Sequence, residues 1–316
     1  MSPVPTVKLN NGYEIPVLGL GTYKALGGEV EQAVKDAIDC NYRHIDTAYL
    51  YGNETEVGNA VRAKIAENVI KREDMFIVTK LWSNFHEPDK VEYACRLSLN
   101  NLNLDYIDLY LIHWPFSFPY ISDKDSMPLD EHGVVLVNDD LDILDTYKAM
   151  EKLVEKGLVR SIGLSNFNSE QIAHILNGCT IKPVMNQVEF SPALNQKKLI
   201  EFCKDRDIIV TAFSPLGRPN PQLKTPSFIF DEKVIAIGTK YNKTPAQVVL
   251  RYLIQYGAVP VPKSQTKGRI QQNIDVFDFE LTPEEISILD GFNTGHRIAL
   301  LPALKHSKYY PFSIEF

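Results

Sequence analysis

The chain has 316 residues, of which 44% are hydrophobic and 23% charged, and its formal net charge is −7. That balance suits an ordinary globular protein and excludes nucleic-acid binding through a broadly basic surface. Four cysteines, Cys40, Cys95, Cys179 and Cys203, are scattered without a CxxC pair and read as reduced thiols of a cytoplasmic protein. The start, Met1-Ser2-Pro3-Val4-Pro5, has no signal-peptide pattern, and no apolar run is long enough to span a bilayer.

Thr6–Leu9 and Tyr13–Pro16 flank Asn10-Asn11-Gly12, a hairpin signal. Val17–Gly21 reads as a buried strand, and helical spacing over Glu29–Cys40 aligns Val30, Ala33, Val34, Ala37 and Ile38. A short apolar strand from Arg43 stops at Asp46. Tyr51 lies in the loop beyond, Asn53 is a capping-type residue, and Glu54–Ile65 reads as a helix. Strand and helix then alternate: Met75–Lys80, Asp89–Leu102, Ile107–His113, a long loop, Leu141–Lys156, Val159–Leu164, and Ser169–Leu176 with a serine cap. Val184–Val188, Gln196–Asp205 and Ile208–Ala212 follow, then a proline-rich loop and helices over Asp231–Lys240 and Pro245–Gln255. Ala258–Val261 is the last strand, Arg269–Ile274 and Pro283–Leu289 are helical, and Phe292–Phe316 is an irregular tail.

Eight strands alternating with helices imply a parallel sheet covered on both faces. An open doubly wound sheet and a (β/α)₈ barrel compete. Strand count, even spacing and length favour the α/β TIM barrel, formed by residues 1–316 as a single domain with the N-terminal hairpin across its bottom and a long C-terminal loop. The rival would want G-x-G-x-x-G after its first strand, and Gly19-Leu20-Gly21-Thr22-Tyr23-Lys24 ends in lysine instead.

In such barrels chemistry gathers at the carboxyl ends of the strands. Those ends read Thr22 and Tyr23, Asp46, Lys80, His113, Ser165 and Asn166, Gln187, Phe213 and Ser214, then Lys263 and Ser264. Any one of these also fits a structural role: a satisfied histidine, a stabilising Lys80–Asp46 pair, or Tyr51 packed on Trp82. The combination fits chemistry better. A phenol beside an ammonium is a tunable acid, so Lys80 is expected to lower the pKa of Tyr51, with Asp46 holding Lys80 and His113 donating to a substrate oxygen. None of the four supplies a hydride, so a cofactor must. The histidines show no HxH or HExxH spacing, and no metal site is expected.

Pro262-Lys263-Ser264-Gln265-Thr266-Lys267-Gly268-Arg269 concentrates cations and hydroxyls between the last strand and a helix, either as a solvated loop or as an anion site. Phe213 offers a flat face for a nicotinamide ring, and Ser165, Asn166 and Gln187 suit its carboxamide. Tyr23, Leu50, Trp82, Trp114 and Phe118 would line an aromatic mouth suited to apolar aldehydes and ketones, steroid-like ones included, rather than sugars. The loops Pro115–Asp140, Gly217–Phe230 and Phe292–Phe316 would set the choice.

These motifs, together with Thr79-Lys80-Leu81-Trp82, Leu111-Ile112-His113-Trp114-Pro115, Gly163-Leu164-Ser165-Asn166-Phe167, Asn186-Gln187-Val188-Glu189 and Ser214-Pro215-Leu216-Gly217, resemble the aldo-keto reductases of the aldose reductase type from end to end. The resemblance implies a barrel that reduces carbonyls with NADPH and no metal. It implies Tyr51 as proton donor, supported by Lys80, Asp46 and His113, and Tyr51, His113 and the mouth residues as the substrate site. Cofactor contacts are implied for Thr22, Tyr23, Asp46, Ser165, Asn166, Gln187, Phe213, Ser214 and Leu216, with Lys263, Ser264 and Arg269 on the 2′-phosphate and Asn273 on the adenine. The chain departs from the pattern at Phe213, usually tyrosine; at Tyr23, often tryptophan; at Gln272, often Glu; at Asn220, where an Asp often latches a loop over the cofactor; and over His296–Leu301. A cofactor-sensing binding module and a cofactor-free barrel hydrolase or isomerase are the alternatives. The expectation is a cytoplasmic monomer acting on a small carbonyl substrate, without nucleic-acid or membrane partners.

Overall fold

Two short strands, β1 (Thr6–Lys8) and β2 (Glu14–Pro16), pair antiparallel with Val7 opposite Ile15. The turn between them needs a left-handed residue, and Gly12 supplies it at φ 93°. Leu9 and Ile15 point from this hairpin into a cluster with Phe76, Val78, Leu109, Leu111, Val184 and Met185. Those partners alternate along neighbouring strands, as inward-facing barrel positions do. The hairpin therefore plugs the barrel floor. The computed structural model describes residues 4–25 and 28–316.

Eight parallel strands follow: β3 (Leu20–Gly21), β4 (His44–Asp46), β5 (Phe76–Leu81), β6 (Ile107–Ile112), β7 (Val159–Ser165), β8 (Met185–Glu189), β9 (Ile209–Phe213) and β10 (Val259–Pro260). Each pairs with the next in chain order. The two ends also meet, because Gly19 N–H donates to Pro260 O and Gly21 N–H to Pro262 O, both at 3.1 Å. Gly21 further forms a parallel bridge with Lys263. The sheet is closed as expected, but its first and last strands are shorter than the apolar runs suggest. Pro260 and Pro262 have no N–H, so at these two positions the seam is bonded from the glycine side. A Cβ on Gly21 would stand 2.7 Å from Val261 O, so the seam admits no side chain there.

Helices cover the outside: α1 (Glu29–Asp39), α2 (Glu54–Ala66), α3 (Pro88–Leu102), α4 (Ile143–Glu155), α5 (Ser169–Gly178), α6 (Lys197–Lys204), α7 (Ser227–Phe230), α8 (Glu232–Tyr241), α9 (Pro245–Gln255), α10 (Lys267–Ile274) and α11 (Pro283–Asp290). The short α7 lies in a stretch that reads as loop. Two capping expectations change. Helix α5 is capped by Asn168, which exchanges hydrogen bonds with Gln171, while Ser169 Oγ donates to Phe316 O at 2.6 Å. Asn53 does not cap α2 with its side chain. It donates to Thr22 O at 3.0 Å and Ala25 O at 3.2 Å and accepts from Thr47 Oγ1 at 2.8 Å, tying together the loops after β3 and β4. No helix among the described residues is long and apolar enough to cross a membrane.

His44 is fully buried in the barrel against Phe76, and neither ring nitrogen has a well-placed partner. Burial pushes its pKa down to about 4. The unfolded chain therefore binds the extra proton first, and stability falls as pH drops from about 6.5 towards 4. Replacing His44 with Leu should remove about 3 kcal/mol of the stability difference between neutral and acid pH. Urea midpoints at pH 7 and pH 4 for both proteins check this, and an unchanged difference would refute it.

Candidate active site

Asp46 ends β4, Lys80 lies one residue before the end of β5, and Gln187 lies in β8. Lys80 is fully buried and Asp46 is 3% exposed, with Lys80 Nζ 2.7 Å from Asp46 Oδ1. The ammonium also donates to Thr47 O at 2.8 Å, and Gln187 Nε2 donates to Asp46 Oδ2 at 2.7 Å. Thr22 N–H and Oγ1 both donate to the Asp46 carbonyl, at 3.0 and 3.1 Å. The pair is thus held by Thr47 beside Asp46 and from two other strands, β8 through Gln187 and β3 through Thr22.

Tyr51 leans over this pair, its ring centroid 5.2 Å from Lys80 Nζ, 5.1 Å from Tyr23 and 5.7 Å from His113. Its pKa is raised well above 10, by burial first and then by Asp46 and Tyr23. The expected lowering by Lys80 is not found. The ammonium faces the ring while its hydrogen bonds go to Asp46 and Thr47, so desolvation of a phenolate dominates. Burial, opposed by Asp46, likewise pushes the Lys80 pKa down. His113 follows β6 and packs edge-on to Trp82 at 5.1 Å. Its pKa is lowered well below 6.5 by burial, then by Lys80 and His86. His113 borders the cavity, and its Nδ1 is buried without a protein partner. A protonated phenol beside a neutral imidazole can deliver a proton and a hydrogen bond to one oxygen.

Above this group opens a cavity of about 600 Å³. Thr22, Tyr23, Asp46, Leu50, Tyr51, Trp82, His113 and Trp114 line it, as do Ser165, Asn166, Gln187, Phe213, Ser214, Leu216 and Lys263. Lys80 lies behind the lining. Ser264 is buried beside it, while the exposed Arg269 and the buried Asn273 lie along α10. Lys263 is tied to Gln265 at 2.7 Å, and Gln265 to Glu29 at 2.5 Å. Among the described residues the Arg269 side chain has no hydrogen-bond or ion-pair partner. Asn220 Oδ1 accepts from Gln222 and Leu223 N–H at 3.1 and 3.2 Å and so shapes its own turn.

One expected mouth residue is misplaced. Phe118 is fully buried, stacked on Phe116 and edge-on to Trp82, and does not reach the cavity. Several lining residues have no individual sequence signal: Met127, Arg218, Ile298, Leu300 and Leu301. They lie in loops without periodicity, although each belongs to a loop expected to border the mouth. Trp82 Nε1 fixes one of these loops by donating to Ser126 O at 2.5 Å.

Residues 17–294 match the aldo/keto reductase family. The chain belongs to the aldo/keto reductase family. It is 46% identical over 304 residues to aldo-keto reductase family 1 member A1-A of Danio rerio, covering 95% of this chain and 93% of that protein. It is 45% identical over 319 residues to human aldo-keto reductase family 1 member C1, covering 98% of each. The aldose reductase of Schistosoma japonicum superposes with a TM-score of 0.93 at 43% identity over all of both chains. The Bombyx mori aldo-keto reductase solved with NADP gives 0.90 at 40% identity, covering 98% of this chain and 100% of that one. This aldo/keto reductase is therefore an NADP-dependent oxidoreductase acting on carbonyl groups.

The residues present fit a nicotinamide dinucleotide. Asn166 stands in left-handed backbone at φ 64° and lines the cavity with a buried Oδ1 that has no protein partner, an acceptor suited to a carboxamide N–H. Ser165 Oγ is engaged with Gln187 O at 2.9 Å, and Gln187 Nε2 spends one of its two N–H groups on Asp46, so Gln187 keeps Oε1 and one N–H for a ligand. The ring of Phe213 lines the same space, and Lys263 and Arg269 supply cations beyond it.

The pKa directions set a pH profile. Tyr51 stays protonated and His113 stays neutral through the neutral range, so carbonyl-reduction kcat should hold level from about pH 6.5 to about pH 8.5. A steady-state profile checks this; a decline centred near neutral pH would contradict the directions for both groups.

Proposed function

We propose that this aldo/keto reductase reduces apolar aldehydes and ketones to alcohols with Tyr51 as proton donor, favouring steroid-like carbonyls, 3-keto steroids and ecdysteroids among them, over sugars. The observation that carries this is the seating of Tyr51 between Lys80 and His113 at a cavity walled by Leu50, Trp82, Trp114, Met127 and Leu300. NADPH, when bound, supplies the hydride. Tyr51 O–H gives its proton to the carbonyl oxygen, and His113 Nε2–H orients that oxygen by a hydrogen bond. Lys80 lies against the ring face and offsets the charge left on the phenol, while Asp46 fixes Lys80.

Apolar substrates are favoured because each sugar hydroxyl buried against these side chains would lose water without gaining a partner. A bovine relative named dihydrodiol dehydrogenase 3, 46% identical over 322 residues, accords with a carbocyclic substrate. Thr22, Tyr23, Asp46, Ser165, Asn166, Gln187, Phe213, Ser214 and Leu216 would hold the nicotinamide half of the cofactor and the phosphates beside it. Lys263, Ser264 and Arg269 would take the 2′-phosphate and Asn273 the adenine. Every group needed comes from one chain, which supports a monomer whose residues 1–316 act as one barrel unit in the cytoplasm.

Tyr51→Phe removes the transferable proton and keeps the ring. The kcat for a reactive aldehyde, followed as loss of NADPH absorbance, should fall by at least about 10³-fold while NADPH affinity is unchanged. Undiminished turnover would remove Tyr51 from the role. Arg269→Ala should weaken NADPH binding about 10- to 100-fold and leave NADH unaffected, with the difference shrinking in high salt. Fluorescence titration with both cofactors measures this; an unchanged preference would reassign the 2′-phosphate.

A further inference from the structure

Glu189 ends β8 and is 1% exposed, yet the proposed reaction does not use it. Its carboxylate faces the C-terminal loop. Ile298 N–H donates to both oxygens, at 2.8 and 3.0 Å, and Ala299 N–H donates to Oε2 at 2.8 Å. A second tie runs beside the first. Gln196 Nε2 donates to the Glu189 backbone oxygen, and Gln196 Oε1 accepts from Arg297 Nη2 at 3.4 Å. Arg297 also lies over Phe312 at 3.9 Å, and Phe312 packs edge-on to the cavity residue Trp114.

The loop so held has no helix or strand of its own between Asp290, the end of α11, and a short turn at Pro302–Leu304. Its residues Ile298, Ala299, Leu300 and Leu301 nevertheless form one wall of the cavity. Its start is tied by Thr294 N–H to Ala193 O at 3.1 Å and by Asn293 Oδ1 accepting from Asn195 N–H at 3.2 Å, but the stretch that walls the cavity is held by Glu189 at one end and by Tyr310 OH donating to Leu300 O at 2.6 Å further on. A buried carboxylate needs those N–H donors as much as the loop needs the carboxylate, so the two arrangements stand or fall together.

We propose that Glu189 is a positioning residue for substrate breadth: by clamping Ile298 and Ala299 it holds an apolar wall against the far end of a bulky carbonyl substrate. It does not touch the reacting atoms. A small aldehyde, seated wholly between Tyr51, His113 and Trp82, does not reach that wall. A bulky ketone buries apolar surface on Leu300 and Leu301, and loses that contact when the wall is loose. The proposal rests on the reading of this cavity as a carbonyl-reducing site.

The test compares wild-type enzyme with E189Q, which keeps the size of the side chain and loses its charge and one acceptor. Both are assayed with NADPH on 4-nitrobenzaldehyde and on a 3-keto steroid, or on benzophenone if the wild type refuses the steroid. Amide exchange over residues 296–302 is followed in parallel by mass spectrometry. In E189Q the KM for the bulky ketone should rise about tenfold, with both constants for the aldehyde within about twofold of wild type, and exchange of the segment should quicken. E189D, which keeps the charge and shortens the reach, should fall between.

An unchanged ketone-to-aldehyde ratio overturns the role in substrate breadth, and unchanged exchange overturns the clamp itself. Should E189Q not fold, the wild type decides: Ile298 and Ala299 amides exchanging as fast as that of the exposed His296 overturn the proposal. A wild type that reduces neither carbonyl would instead sink the catalytic reading, and the exchange result would still judge the clamp.

Discussion

An ammonium and a carboxylate shut away from water at the head of a barrel govern the site. Removing Lys80 and Asp46 from water is costly, and their mutual attraction offsets that cost only where the remaining donors and acceptors are also matched. Here they are: Thr47 O accepts a second hydrogen bond from Lys80, and Gln187 donates to the other Asp46 oxygen. The match draws on β4, β5 and β8 together, so strand register and the state of the pair are one constraint. Tyr51 and His113 owe their protonation states to burial first and to this pair second. One lies over the ammonium and keeps its proton, and the other is kept neutral by burial and by the same positive charge.

Much of this is legible in the sequence for a definite reason. A parallel strand covered on both faces is an apolar run, so its end is marked wherever a polar residue interrupts it. Asp46, Lys80, His113, Ser165, Gln187 and Lys263 stand out in that way. Less legible are outcomes decided by competition between equal local candidates. Asn168 and Ser169 are both good caps, and only the bond from Ser169 to Phe316 O shows why the former caps α5. Asn53 looks like a cap and is instead drawn to the backbone of a loop some thirty positions earlier. The direction of the Tyr51 shift was hidden as well, because proximity to Lys80 is readable and the weight of desolvation is not.

Loops are the other blind region. Met127, Arg218 and Leu300 face the cavity without any period to announce it, and Glu189 is unreadable because the backbone N–H groups it serves belong to residues about a hundred positions later. The division has a physical origin. Asp46 and Lys80 are fixed by sheet geometry and Tyr51 by the short turn after β4, whereas the loops around the cavity are fixed by individual side-chain ties such as those of Glu189 and Trp82.

The seam between β3 and β10 carries a further consequence, one of timing. Gly21 meets Lys263 only when segments about 240 positions apart come together, the kind of contact that a folding chain makes late. Asp46, Tyr51, Lys80 and His113 all leave the ribosome within the first 113 of 316 residues, whereas the trough between Thr22 and Lys263 has no second bank until β10 has been made. A growing chain thus holds these four residues long before the cavity above them is walled, and the site must wait for the ring to close.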